Sequence, residues 1–256
     1  MPQHLLRVAV LAFDGISPFH LSVPCLVFGE EKDPQGHARY ELVVCADQPG
    51  SLRTNAGFNL DVQRSLAALR TADIIVVPSW THDLRPASGA VTKALRAAHA
   101  RGATLVGLCL GAFVLAQAGL LEGKAATTHW LAANDFQKAF PSIDVRPGVL
   151  YVDEGDVVTS AGTAAGLDCC LHLLRRHFGA DAANRAARRM VVAAHRNGGQ
   201  AQYIEQAVHT PDDDKFGALL EWLQLNLHQT PSLDALAEQA FMSRRNFTRR
   251  FKQATG

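Results

Sequence analysis

The sequence lacks the features that mark membrane-spanning and disulfide-stabilised proteins. No uninterrupted apolar run among its 256 residues approaches the length of about 18 residues that a membrane span needs. Its five cysteines are odd in number and show neither a Cys-x-x-Cys pair nor a zinc-like spacing to histidine. The first apolar run stops at Asp14-Gly15 without a small-residue cleavage site, which indicates a buried strand. We expect a soluble, cytoplasmic protein with no membrane partner, no metal and no cofactor.

The net charge is small but unevenly distributed along the chain. The whole sequence carries +1 at neutral pH. Five basic residues and no acidic residue lie between Gln239 and Gly256, whereas the remaining 238 residues carry 20 basic and 24 acidic side chains. The C-terminal segment is therefore a positive patch on a mildly acidic body, and charge alone is equally typical of a solvated helix face.

Strand and helix patterns alternate over the first two hundred residues. Apolar runs predict strands at 5–13, 40–45, 73–77 and 104–108, and helical patterns lie at 19–30, 88–101 and 111–118. Later come a predicted strand pair at 149–160, with its turn at Glu154-Gly155, and a long helix over 163–178. This alternation predicts an α/β fold: a doubly wound, mostly parallel sheet with helices on both faces, of the flavodoxin-like kind.

The stretch LVGLCLGAFVLA at 105–116 sets Cys109 between Gly107 and Gly111, where an apolar strand meets a run of helix formers. Gly-x-Cys-x-Gly at such a junction is the cysteine form of the nucleophile elbow. The following helix is expected to lower the pKa of the thiol. Cys109 is either an enzymatic nucleophile or a relic at the floor of a binding pocket, because catalysis also needs an acid or base and oxyanion donors.

Ligands of parallel α/β sheets bind at the carboxyl ends of the strands. Cys109-Leu110, Trp80 and Gly162-Thr163 all follow predicted strands. We therefore expect one pocket to gather them.

The periodicity changes near residue 200, where paired glycines, a proline and an acidic triplet predict a linker. We place the α/β domain at 1–204, the linker at 205–214 and a small all-α segment at 215–256. Two apolar stripes at helical spacing follow the linker. They comprise Phe216, Leu219, Leu220, Leu223 and Leu227, and then Leu233, Leu236, Ala237 and Ala240.

A third helix is predicted after Ser243, a natural N-cap, with Met242 and Phe247 at the spacing of a hydrophobic staple. Phe247 and Phe251 share its buried face. A helical wheel leaves these basic residues on the outer face and its flanks: Arg244, Arg245, Arg249, Arg250 and Lys252. The second and third predicted helices together indicate a helix-turn-helix whose second helix enters the DNA major groove. A two-helix protein-binding appendage is the alternative.

Several stretches resemble the GlxA-like branch of the AraC/XylS transcription regulators. They are FDGISPFHLSVPCLVFG, LVGLCLGAFVLAQAGLLEGKAATTHW, VVTSAGTAAGLDCCLHLLRR and RRMVVAAHRNGGQAQYIEQ, which resemble the N-terminal domain of the ThiJ/PfpI (class I glutamine amidotransferase-like) superfamily. LDALAEQAFMSRRNFTRRFKQATG resembles the first of the two helix-turn-helix units in an AraC-type DNA-binding domain. The resemblance covers nearly the whole chain. It implies an operator DNA, a small-molecule effector and a homodimer as partners.

The resemblance also assigns DNA-reading positions. It implies base contacts at Arg245, Thr248 and Arg249, and the exposed amide of Asn246 is a further candidate for pairing with adenine. The second helix-turn-helix of the family is absent before Gly256, so we expect a fragment or a truncated product.

The sequence departs from the catalytic members of the superfamily at three places. His20 matches a position that usually carries an acidic residue, although a histidine there is able to form an ion pair with Cys109. In glutamine amidotransferases the catalytic histidine is directed by a glutamate two residues later in the sequence. His195 is not followed by such a glutamate. Trp80, in Pro78-Ser79-Trp80, replaces glycines that help form an oxyanion hole, and it is expected to fill or line the crevice.

His129 has two interpretations, a contact to the ligand or thiol and a cap on the helix that follows it. The resulting ligand-site hypothesis comprises His20, Trp80, Cys109, Leu110, His129, Gly162 and Thr163. The leading hypothesis is a DNA-binding regulator without enzymatic turnover, and the alternative is a cysteine-dependent hydrolase or hydratase with a regulatory tail.

Overall fold

The computed structural model describes residues 5–193, 195–196, 198–199, 219, 222–223, 226, 231–240 and 242–255. The chain divides into two compact units, Met1–Gln202 and Tyr203–Gly256. Among the helices described, none is both long enough and apolar enough to cross a bilayer.

The first unit is organised around a seven-stranded sheet. Its strands are β1 (Leu6–Ala12), β2 (Tyr40–Ala46), β5 (Arg64–Ser65), β6 (Ile74–Val77), β7 (Thr104–Leu108), β10 (Tyr151–Asp153) and β11 (Val157–Ser160). They lie in the order β10-β11-β7-β6-β1-β2-β5, and every pair is parallel except β10 with β11. The predicted doubly wound, mostly parallel sheet is confirmed.

Five helices accompany the sheet: α1 (Pro18–Gly29), α2 (Gly89–Ala100), α3 (Gly111–Gln117), α4 (Ala133–Ala139) and α5 (Ala164–Arg189). Short 3-10 helices lie at Leu66–Arg70 and Trp130–Ala132. Helices α1 and α5 supply one hydrophobic core, and α2 and α3 supply a second. The two cores lie on opposite faces of the sheet, as the alternation of strands and helices predicts.

Strand β1 shows why its sequence is apolar from residue 8 to residue 12. Val8 and Val10 belong to the core of α1 and α5, whereas Ala9 and Leu11 belong to the core of α2 and α3. All four are at most 1% exposed. Since successive side chains of a strand point to opposite faces, a central strand covered on both sides must be apolar at every position.

Some elements carry no clear sequence signal and were not predicted. These are the antiparallel pair β3 (Gly50–Arg53) and β4 (Asn59–Val62), the two-residue strands β8 (Ala125–Ala126) and β9 (Asp144–Val145), and helix α4. The prediction for α5 is too short. The backbone leaves helical geometry at Gly179, with φ 82° and ψ 175°, but a second helical stretch continues to Arg189 because its alanines are buried in the core of α1 and α5.

The second unit contains helices α6 (Leu233–Gln239) and α7 (Arg244–Thr255). Ser232 Oγ accepts the amide of Ala235 at 3.2 Å and Ser243 Oγ accepts that of Asn246 at 3.4 Å, so each helix begins with a serine cap. The predicted cap at Ser243 is confirmed.

Phe247 is fully buried in a small core with Leu219, Ala237 and Ala240, and Met242 and Phe251 pack against this core. This agrees with the predicted staple and the predicted buried face of α7. Leu219 and Leu223 of the first predicted stripe also contribute to this core. The other members of that stripe, Phe216, Leu220 and Leu227, and the predicted linker at 205–214 lie outside the described residues.

A pair of matched glycines tests the turn that joins β7 to α3. Gly111 is the first residue of α3, and a Cβ there would lie 2.1 Å from the carbonyl oxygen of Val77. Gly89 is the first residue of α2 and has no atom within 4 Å of such a Cβ. We expect Gly111→Ala to lower the free energy of unfolding by about 3 kcal/mol, whereas Gly89→Ala changes it by less than about 0.5 kcal/mol. Urea unfolding of the three proteins measures both changes, and equal midpoints for the two variants would contradict the turn.

Candidate functional site

Cys109 occupies the sharp turn between β7 and α3. Its φ of 53° lies in the left-handed region, which non-glycine residues rarely adopt. Two hydrogen bonds hold the backbone there: the Cys109 amide donates to Ser160 O at 3.0 Å, and Thr128 Oγ1 donates to Cys109 O at 2.8 Å. A Cβ at Gly107 would approach Leu115 to 2.9 Å, so glycine is required on both sides of the cysteine. The predicted elbow is confirmed.

The thiol of Cys109 lies among hydrogen-bond donors but is nearly dehydrated. The backbone N–H of Leu110, the Ser79 hydroxyl and the backbone N–H of Thr163 lower the pKa of the thiol, although the Ser79 hydroxyl also lies 3.5 Å from the carbonyl oxygen of Trp80. Only 5% of Cys109 is exposed, and burial has the larger effect, so the pKa of the thiol is raised above its usual value. The expectation of a lowered pKa is wrong, because the donors do not offset the loss of water.

A cavity of about 320 Å³ opens above Cys109 at the carboxyl end of the sheet. Five of the seven residues predicted for the ligand site line it: His20, Cys109, Leu110, His129 and Thr163. The residues come from α1, the β7–α3 turn, the loop after β8 and the N-terminus of α5. Elements distant in sequence therefore meet here, as expected for the carboxyl edge of a parallel sheet.

The other two predicted residues lie outside the lining of this cavity. Trp80 lines two adjoining cavities, where its ring is 4.8 Å from that of Phe13 and its Nε1 donates to Arg85 O at 2.7 Å. Trp80 is not in the lining of the Cys109 cavity, but one of its cavities shares His20, Ser79 and His82 with it, so the expectation of one pocket for Trp80 and Cys109 stays a prediction. Gly162 makes room for the ring of His129, because a Cβ at residue 162 would lie 2.0 Å from Cδ2 of that ring.

The capping interpretation of His129 is confirmed, and its contact to a ligand or to the thiol stays a prediction. Its Nδ1 accepts the amide of Leu131 at 3.2 Å and caps the short helix Trp130–Ala132, while the ring also lines the cavity. Burial, assisted by the charge of the neighbouring His82, lowers the pKa of His129. In the neutral ring an accepting Nδ1 assigns the proton to Nε2.

His20 reaches the cavity from α1. Both of its ring nitrogens are buried and have no hydrogen-bond partner among the described residues. Burial, followed by the charges of His129 and His82, lowers the pKa of His20. Because the pKa of Cys109 is raised and that of His20 is lowered, the structure favours a neutral thiol beside a neutral imidazole and not an ion pair.

Further residues of the cavity were missed by sequence reasoning. Ser79 and His82 follow β6, and the strand-end rule that indicated Trp80 also applies to them. Leu84, Leu131, Ala132 and Asp135 belong to no recognisable motif. Within the described ranges, no three His, Cys, Asp or Glu side chains are arranged to hold a metal ion, so the three histidines of this cavity do not form a metal site.

The remaining cysteines lie in the hydrophobic cores, and His195 lies at the surface. Cys45, Cys169 and Cys170 are buried and Cys25 is partly buried in the two cores. His195 is exposed, and the neighbouring Arg196 forms a 3.2 Å ion pair with Asp168.

A comparison of the sequence with known protein families agrees with this fold. The model of the DJ-1/PfpI family matches residues 6–176. The chain belongs to the DJ-1/PfpI family. The fold agrees as well: an AraC family transcriptional regulator from Pseudomonas putida superposes with a TM-score of 0.63 at 20% identity, over 72% of this chain and 99% of that structure.

Several relatives are named as regulators. The chain is 29% identical over 216 residues to the HTH-type transcriptional regulator CdhR of Pseudomonas aeruginosa, covering 83% of this chain and 63% of the relative. It is 27% identical over 231 residues to the HTH-type transcriptional regulator GlxA of Rhizobium meliloti, covering 86% and 68%. An enzyme is also similar: isonitrile hydratase of Pseudomonas putida is 28% identical over 180 residues, covering 70% and 75%. The chain thus spans about two thirds of the length of these regulators.

The raised pKa of Cys109 predicts how its alkylation depends on pH. Because only the thiolate reacts, the rate of carbamidomethylation at Cys109 should rise about tenfold per pH unit between pH 7 and 9 without levelling off. Mass spectrometry of the Cys109 peptide after timed iodoacetamide exposure measures the rate. Ser79→Ala, which removes one donor to the thiolate, should lower the rate at each pH. A plateau below pH 8 would contradict the neutral thiol.

Proposed function

We propose that the protein is a sequence-specific transcriptional regulator. The DJ-1/PfpI unit binds a small effector in the Cys109 cavity and holds a homodimer together, and the C-terminal helices bind operator DNA in the cytoplasm. Two helix-turn-helix units of a dimer would reach successive major grooves about 34 Å apart. The regulators CdhR and GlxA among its relatives support this proposal.

The observation that carries the proposal is the outer face of α7. Arg245, Thr248 and Arg249 are exposed, whereas Phe247 on the opposite side is fully buried. Arg245 and Arg249 are one helical turn apart, so both guanidinium groups project to the same side. An arginine fork matches the two acceptors of guanine in the major groove, which makes this face suitable for reading bases.

The neighbouring side chains differ in how far they are already engaged. Arg249 Nη2 donates to Asn246 Oδ1 at 2.9 Å, and Arg244 Nη1 lies 3.3 Å from Asp234 Oδ2. Arg245 has no hydrogen bond to any residue of the described part. Arg250 and Lys252 lie on the same helix, but their side chains fall outside the described residues. We assign Arg244, Arg250 and Lys252 to phosphate contacts.

Replacing Arg245 tests base reading. We expect Arg245→Ala to weaken binding to the duplex that the protein selects from a random library by about 1–3 kcal/mol, with little change on unselected DNA. Arg249→Ala should behave alike. Arg244→Ala should weaken both duplexes equally and lower the salt slope by about one. The exposed Arg70, in the first unit, provides a control that should change neither.

Fluorescence anisotropy at two salt concentrations measures these affinities. Equal losses on selected and unselected DNA for Arg245→Ala and Arg249→Ala would show that α7 does not read bases.

A cysteine-dependent hydratase or hydrolase is the second candidate. It is favoured by the donors that surround the sulfur, from Ser79, Leu110 and Thr163, because such a group also serves an oxyanion. The relative named isonitrile hydratase supports it as well. Against this candidate, the residue beside the thiol is His20 and not a carboxylate, and both His20 and Cys109 favour their neutral forms.

Turnover assays separate the two candidates. We expect the protein to convert an isonitrile, a primary amide or a 2-oxoaldehyde no faster than its Cys109→Ser variant does, because the neutral thiol lacks an activating base. Gas-chromatographic or absorbance assays of product measure the rates. A robust activity that Cys109→Ser abolishes would establish the enzyme in place of the non-enzymatic regulator.

A further inference from the structure

Several polar groups of the Cys109 cavity are able to donate a hydrogen bond to a ligand. Ser79, Leu110 and Thr163 line it together with Cys109, and the Ser79 hydroxyl and the N–H groups of Leu110 and Thr163 lie close enough to the thiol to affect its pKa. Converging backbone N–H groups of this kind form a concave site for negatively charged or carbonyl oxygen atoms. The floor therefore favours a ligand oxygen over a ligand N–H group.

Two imidazoles extend this set of donors. The Nδ1 atom of His129 is occupied by the amide of Leu131, which leaves its protonated Nε2 as a donor. Both nitrogens of His20 are buried without a partner in the described part of the chain, and His20 lines the same cavity. Buried polar groups normally have a partner, so an unpaired ring at a cavity wall indicates a group that a ligand satisfies.

The charges of the lining limit the ligand to a single negative charge. No lysine or arginine is among the described residues that line the cavity, and its one carboxylate, Asp135, is exposed. A phosphate would need fixed cations that this lining lacks. An ammonium group would find only Asp135 as a charged partner, and Asp135 is exposed to water.

The size and the walls of the cavity describe the rest of the ligand. A volume of about 320 Å³ equals about ten water molecules. Leu84, Leu110 and Leu131 supply apolar walls, and Leu131 is 68% exposed at the mouth. A short hydrocarbon chain would cover this apolar surface.

We infer that the Cys109 cavity binds a small monocarboxylate with a short apolar tail, whose carboxylate accepts hydrogen bonds from His20 and His129. The inference rests on the proposed effector role of this cavity and specifies the chemical class of the effector. Neither the thiol nor any covalent step is needed for recognition.

Thermal unfolding of the full chain with matched probes tests the inference. Butyrate, butyramide and butylamine share one carbon skeleton and differ only in the head group. We expect butyrate to raise Tm in a saturable manner, because a ligand that binds the folded state stabilises it by mass action. Butyramide, butylamine and sodium chloride at the same concentration should not raise it.

Variants of the two imidazoles connect the effect to this cavity. His20→Phe keeps a ring and removes two unpaired nitrogens, so it should leave the ligand-free Tm unchanged or higher and weaken butyrate binding about tenfold. His129→Asn retains an acceptor for the cap and removes the ring donor, and it should weaken binding similarly. His195→Phe, at an exposed position outside the cavity, should bind butyrate like the parent protein.

Two results would overturn the inference. A saturable shift with butyramide or butylamine but not with butyrate would assign another head group to the cavity. The absence of any shift, or a butyrate effect that persists in both His20→Phe and His129→Asn, would remove the carboxylate site itself. DNA binding by the same preparation is measured separately, so a failure of the ligand class is distinguished from a failure of the regulator proposal.

Discussion

The close approach between the end of strand β6 and the start of helix α3 determines the site. The carbonyl oxygen of Val77, at the end of β6, lies where a Cβ of residue 111 would be, so only glycine lets α3 begin directly after the turn. That turn fixes Cys109 at a φ of 53° and raises its side chain above the edge of the sheet. The cavity, its donors and the depth of the thiol all depend on this contact.

The same turn produces a recognition pocket more readily than a reactive centre. A nucleophilic cysteine needs a depressed pKa and a partner that accepts a proton. Here burial dominates the electrostatics of Cys109 and His20 and favours the uncharged form of each. An elbow inherited from a family with enzymatic members is therefore compatible with ligand binding alone, and donors directed at the sulfur are equally suited to hold the oxygen atoms of a bound molecule.

The sequence predicts the central sheet and the elbow well because both have strong local causes. Continuous apolar runs such as residues 8–12 of β1 are required in a strand covered on both faces, and Gly-x-Cys-x-Gly is required by the tight turn. The balance of forces on the thiol was not predictable in this way, since the dehydration of Cys109 depends on elements distant in sequence. The orientation of Trp80 was not predictable for a similar reason: its hydrogen bond to Arg85 O is set by the path of a loop.

We propose that the basic C-terminal helix makes this DJ-1/PfpI protein a DNA-binding regulator. The salt dependence of DNA binding tests this proposal most directly. The affinity of the full chain for a labelled random duplex, measured across a series of salt concentrations, reports how many phosphates the protein neutralises. The account predicts a straight plot of log Kd against log salt whose slope corresponds to several displaced counterions. Binding that is absent at low salt, or that does not change with salt, would contradict it.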